Sequence, residues 1–93
     1  MIFDYKALLQ LDDETYQAWM PTLEEYENSA LLTAHNLNPN LDESPGNKLL
    51  ERYCKETVFM NVYGDGLSAS LFRYHSAKLS EYEEALRYGG GSL

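Results

Sequence analysis

Apolar positions along this chain fall into four stretches with helical spacing and one stretch whose period is ambiguous. Residues 4 to 11 begin at Asp4, a good helix N-cap, and set Tyr5, Leu8, Leu9 and Leu11 at intervals that fit two helical turns. Asp12 and Asp13 offer caps for a second short helix through Trp19 or Met20, which Pro21 is expected to interrupt. Thr22 and Glu25 then stand at capping-box spacing. Leu23, Tyr26, Ala30, Ala34 and Leu37 follow at three- and four-residue intervals, the clearest amphipathic helix in the sequence. Residues 38 to 47, NPNLDESPGN, hold two prolines, a glycine and three asparagines, and read as a loop.

A helix restarts near Asn47 or Lys48. Leu49, Leu50, Tyr53, Cys54 and Thr57 share one of its faces, and Glu51–Lys55 and Arg52–Glu56 are spaced as i,i+4 ion pairs on the other. The next stretch supports two readings. TVFMNVY is β-branched and aromatic, and a turn at Asp65-Gly66 would put Val58, Met60, Val62, Ala69 and Leu71 on one face of a β-hairpin. Yet Ser68, Ala69 and Ser70 are poor strand residues. Phe72, His75, Leu79, Tyr82 and Leu86 carry a helical stripe to Tyr88, with Ser68 as its N-cap. We favour a helical hairpin joined at Gly64–Gly66. The expected fold is mainly α, a small single-domain bundle of four to five short helices over residues 1 to 88. Its alternative is an α+β fold with a β-hairpin at about residues 57–74 packed on helices.

A chain of 93 residues can bury one modest core, with a stability of about 5 to 10 kcal/mol. Its 44% hydrophobic content and eight tyrosines separate it from disordered acidic tails. With Cys54 the only cysteine, neither an internal disulfide nor a cysteine-built zinc site is expected. No signal peptide or membrane span is apparent, so the cytoplasm is the expected location (that of a host cell if a phage encodes the chain). Gly89–Leu93, GGGSL, resembles an engineered linker.

Charge changes the picture most. From Ala7 to Asn47 there is no lysine or arginine, and residues 1 to 47 hold nine acids against one base. Residues 48 to 93 hold six of each, so the net charge of −8 lies wholly in the first half. Such asymmetry speaks to partners rather than to fold. Glu24 and Glu27, three residues apart, are expected on the side opposite Leu23, Tyr26 and Ala30, with Asp13 and Glu14 beginning the preceding helix. Carboxylates on rigid helices can imitate the phosphates of a duplex, which carries one charge per ~1.7 Å of axis. Aromatic side chains between them, Tyr16, Trp19 and Tyr26, supply interface anchors. The expected partner-binding set is Asp12, Asp13, Glu14, Tyr16, Trp19, Glu24, Glu25, Glu27, Asp42 and Glu43. Acids in first helical turns also suit the helix dipole, but that does not explain a stretch with no base to alternate with them. Reversing Asp13, Glu14, Glu24 and Glu27 to lysine is expected to abolish partner binding and leave the fold intact.

Other chemistry is weakly represented. Asn40, Asp42 and Ser44 alternate as in a calcium loop with Glu51 at the twelfth position, but Pro45 stands where that loop requires glycine. Cys54 lies on an apolar stripe and reads as a buried structural thiol. His35 suits a helix C-terminus, His75 falls on the stripe with Phe72 and Leu79, and the two do not make a metal site or an acid–base pair. The glycines of Gly64-Asp65-Gly66 lack the spacing and lysine of a phosphate loop. No catalytic residue, cofactor or metal is expected, and direct binding of nucleic acid is disfavoured by repulsion.

In size, acidity and lack of a catalytic signature, though through no residue motif, the chain resembles the anti-CRISPR and anti-restriction proteins of phages and mobile elements. The expected function is that of a small acidic inhibitor, not an enzyme. It would bind a basic, nucleic-acid-binding surface of a partner protein, such as a nuclease or CRISPR effector. The competing expectation is an antitoxin, immunity or oligomeric regulatory module that binds through Tyr53, Tyr63, Phe72, Tyr74 and Tyr82.

Overall fold

A computed structural model describes residues 1–89 as a helical bundle. Helix α1 spans Lys6–Leu9, α2 spans Asp13–Leu37, α3 spans Lys48–Tyr63 and α4 spans Ala69–Arg87, with a 3₁₀ turn at Gly64–Gly66 between the last two. No strand occurs among the described residues, so the mainly α reading holds and the β-hairpin is excluded. Residues 57 to 63 stay helical because Val58 extends the stripe of Leu50, Tyr53 and Cys54, all four buried. Tertiary burial overrides the β propensity of this segment. The linker expected at Gly89–Leu93 lies, beyond Gly89, outside the described residues.

Three caps fall where side-chain chemistry places them. Asp12 accepts from the Thr15 N–H (2.7 Å), Asn47 from Leu50 (3.1 Å) and Ser68 from Leu71 (3.3 Å). The first helix is shorter than expected. Its N-cap is Tyr5, and Asp4 accepts instead from the Lys6 N–H (2.9 Å). Of the two expected i,i+4 pairs on α3, Lys55 meets Glu51 at 2.9 Å, whereas Glu56 turns to His75 of α4 and leaves Arg52.

Pro21 does not interrupt α2, which runs 25 residues as one helix, about 37 Å long. The proline removes one donor to the Gln17 carbonyl, a local cost of about 3 kcal/mol. Burial of Leu23, Ala30, Leu31 and Ala34 beyond it holds the helix in register. Pro21→Ala should therefore stabilise the protein, by about 1 to 3 kcal/mol, and a denaturant titration in which the midpoint falls would contradict this reading.

Helix α3 packs on both α2 and α4. Tyr53 of α3 donates to Glu83 of α4 (3.0 Å), and Tyr63 at the other end of α3 donates to the Leu9 carbonyl (2.9 Å). Tyr63 reaches Leu9 and only a short turn separates α3 from α4, so the starts of α2 and α4 and the end of α3 share one end of the bundle. Among the described residues no helix is long and apolar enough to cross a membrane.

Candidate interaction surface

A straight helix turns about 100° per residue, so residues eleven apart fall in one row. Asp13 and Glu24 form such a row on α2, and Glu14 and Glu25 form a second about 100° round the helix from it. All four side chains are exposed; the Glu14–Glu25 row lies opposite Leu23, Ala30 and Ala34, and the Asp13–Glu24 row flanks them. Within each row the two acids stand about 16 Å apart along the axis. Four carboxylates on a helix of this length compare with about 22 phosphate charges on an equal length of duplex. The array is therefore sparse. It suits a few discrete cations rather than a long continuous groove.

Its ends are more committed than its middle. The Asp12 carboxyl is held below the usual carboxylate range, chiefly by its backbone hydrogen bond from Thr15. Asp13 forms an ion pair with Lys6, the one base of the acidic half. The Tyr16 hydroxyl accepts from the Tyr5 N–H (3.2 Å), leaving the ring half-buried, while Trp19 is 39% exposed. Asp42 and Glu43 lie in the loop after α2, at the opposite end from Asp12 and Asp13. There Asp42 accepts from the Ser44 hydroxyl (3.0 Å) and Glu43 meets His35 at 2.5 Å. The ten candidate residues thus form no single patch.

Glu27 does not belong to the surface at all. It is 1% exposed and tethers the N-terminal segment to α2. Its carboxylate accepts from the Ile2 N–H (2.8 Å), the Phe3 N–H (3.1 Å) and the Tyr5 hydroxyl (2.6 Å). A carboxylate can remain buried when several donors replace its water. Burial first, and this bond second, push the Tyr5 phenol well above its ordinary value. The signal was present in the sequence: Glu27 has Leu23, Ala30, Leu31 and Ala34 at helical spacings of four, three, four and seven, which places it inside the apolar stripe.

The remaining candidates are structural in their contacts. Cys54 is fully buried, and burial chiefly, with the charges of Glu27 and Glu43, pushes its thiol up to about 12. Burial and Glu83 likewise raise the Tyr53 phenol. Groups whose folded pKa is raised stabilise the fold below their unfolded value, near 9 for this thiol, and that stability is lost as pH climbs toward 12. The thiol alone accounts for roughly 4 kcal/mol over that interval. Two outcomes are expected. A thiol reagent at mildly alkaline pH should label Cys54 only as fast as the chain unfolds, and the urea midpoint should fall steeply above pH 9. Rapid labelling of the folded chain, or a flat midpoint from pH 9 to 11, would contradict this burial.

His75 pairs with Glu56 and stacks on Phe59, ring centroids 4.7 Å apart. Glu51, the would-be twelfth calcium ligand, is engaged by Lys48 and Lys55. Among the described residues no three His, Cys, Asp or Glu side chains gather as a metal site. Of the aromatics expected on an apolar binding face, Tyr53 is buried and Tyr82 half-buried, while Tyr63, Phe72 and Tyr74 are exposed. The α4 stripe emerges from the core toward its start, from Leu86 at 0% exposure to Phe72 at 46%.

No family model matches the chain, and neither the curated proteins nor the solved structures compared with it gave a match.

Proposed function

We propose that this chain is a small acidic binding protein that docks the outward face of α2 against a basic surface of another protein. In this reading it occupies a site where that partner holds nucleic acid. The observation that carries it is the pair of exposed acidic rows, Asp13–Glu24 and Glu14–Glu25, on one uninterrupted helix. Fixed spacing on a rigid element lets several weak ion pairs form together with no backbone ordering cost, whereas a lone surface pair contributes about 0 to 1 kcal/mol. Because the array is sparse, the proposed target is a discrete cluster of lysines and arginines. An inhibitor of a nuclease or CRISPR effector, acting in the cytoplasm of the cell that holds its target, fits this chemistry.

The competing reading, an antitoxin, immunity or regulatory module, has the exposed Tyr63, Phe72 and Tyr74 in its favour. Those side chains lie in the charge-neutral half of the sequence. Nucleic-acid competition separates the two. Immobilised chain is offered the nucleic-acid-binding proteins of a cell extract at low salt, and bound protein is challenged with duplex DNA, with RNA, and with salt. Release by nucleic acid and by salt is the expected result. Retention through both challenges would overturn the acidic reading and favour the aromatic one.

A further inference from the structure

The outward face of α4 carries a heptad seam that the bundle does not use. Leu71, Tyr74, Lys78, Glu81, Ala85 and the C-cap Tyr88 recur at alternating spacings of three and four residues, on a flank of the helix about 120° round from Leu79 and Leu86. Leu71, Tyr74 and Tyr88 are 49%, 56% and 79% exposed, among the most exposed large hydrophobic side chains of the chain. Ala85 is also exposed. At the centre Lys78 and Glu81 meet each other at 3.4 Å, with side chains 37% and 65% exposed. Solvated apolar positions at heptad spacing are the pattern of a helix that pairs with another helix.

The seam is complementary to itself when read in reverse. In an antiparallel pair related by a two-fold axis, each first-type heptad position faces a second-type position of the other helix. Setting Lys78 opposite Glu81 of a second copy places Leu71 opposite Tyr88 and Tyr74 opposite Ala85. One register therefore gives two opposite-charge layers at the centre, a large side chain against a small one on either side, and apolar layers at both ends. Flanking positions bring no like charges together, since Glu84 then lies across from Ala77 and His75 across from Tyr82.

Charge also selects a second copy as the occupant. Each chain carries −8, and the acidic half that holds this charge would repel another copy. Residues 48 to 93 sum to zero, so pairing along α4 joins the neutral halves and leaves α2 outside the contact. We propose that α4 is a homodimerisation helix, pairing antiparallel with α4 of a second copy in the register Lys78 to Glu81. This inference is independent of the acidic face of α2.

Sedimentation of the full chain across micromolar concentrations tests it, with circular dichroism reporting the fold. The native chain should pass from monomer to dimer as concentration rises. Lys78→Glu sets glutamates together in both central layers and Glu81→Lys sets lysines together, so each should weaken dimerisation by about tenfold or more. Combining the two restores opposite charges in every layer and should recover the native dimer. Tyr74→Glu should give monomer. These side chains point outward, so the helical signal should be unchanged in each variant. A native chain that stays monomeric at every concentration would overturn the proposal. A dimer indifferent to both single reversals, or a double reversal without recovery, would overturn it equally.

Discussion

Replacing Glu27 by alanine is expected to remove about half of the stability of this protein. Three donors converge on its carboxylate, and two of the three bonds are fully buried. An orphaned buried donor costs about 1 to 3 kcal/mol. The Ile2 N–H is only partly buried and can find water, so the expected loss is about 4 kcal/mol out of a total of about 5 to 10. The loss propagates through packing. Phe3 and Tyr5, at 7% and 0% exposure, are held in the core by the segment that Glu27 tethers, and Leu9 follows them. Glu27→Gln keeps one acceptor oxygen but turns an amide donor toward a backbone or phenolic donor, and should cost about half as much. Glu27→Lys places an unpaired cation where three donors meet and should unfold the chain. Urea midpoints rank the variants as native, Gln, Ala, then Lys. Midpoints for Ala and native that coincide would mean the tether contributes nothing.

The second large effect is on binding. Glu14, Glu24 and Glu25 are exposed, and among the described residues none of them makes an ion pair within the chain. Changing all three to lysine moves the net charge from −8 to −2, since each substitution adds two units to the formal charge. Each reversal replaces an attraction with a repulsion, roughly 1 to 2 kcal/mol at an exposed interface, so affinity for a cationic target should fall about 10²- to 10⁴-fold. Stability should change little, because the three side chains lie away from the core. Glu27 must be left out of any such set. A reversal that included it would lose binding by losing the fold, and the two causes could not be told apart.

The comparison of these two glutamate classes shows what the sequence made legible. Helix caps at Asp12, Asn47 and Ser68 were readable because each rests on a local hydrogen bond. The amphipathic stripes of α2 and α3 were readable from period alone. Pro21 misled because the local cost of a helical proline is visible in sequence, while the burial of Leu23, Ala30, Leu31 and Ala34 that offsets it depends on α3 and the N-terminal segment. Glu27 misled for a related reason. Residue type says that a glutamate faces water although its spacing sets it within the apolar stripe, and the fold brings Ile2, Phe3 and Tyr5 to it across more than twenty residues of chain. Asp42 and Glu43 were grouped with the acids of α2 by charge, yet a helix about 37 Å long separates them from Asp12 and Asp13. Composition records how much charge a segment carries, and topology decides which charges share a surface.

Central to this account is that the exposed acids of α2 form the binding face. The most direct measurement is the salt dependence of affinity between the purified chain and a nucleic-acid-binding protein that it captures. Native chain and the Glu14→Lys, Glu24→Lys, Glu25→Lys variant are titrated in parallel. The account predicts that the native affinity falls steeply as salt rises, and that the variant binds far more weakly at low salt, with a flattened or inverted slope. Equal affinity of the two chains at low salt, with a shallow slope for both, would contradict it.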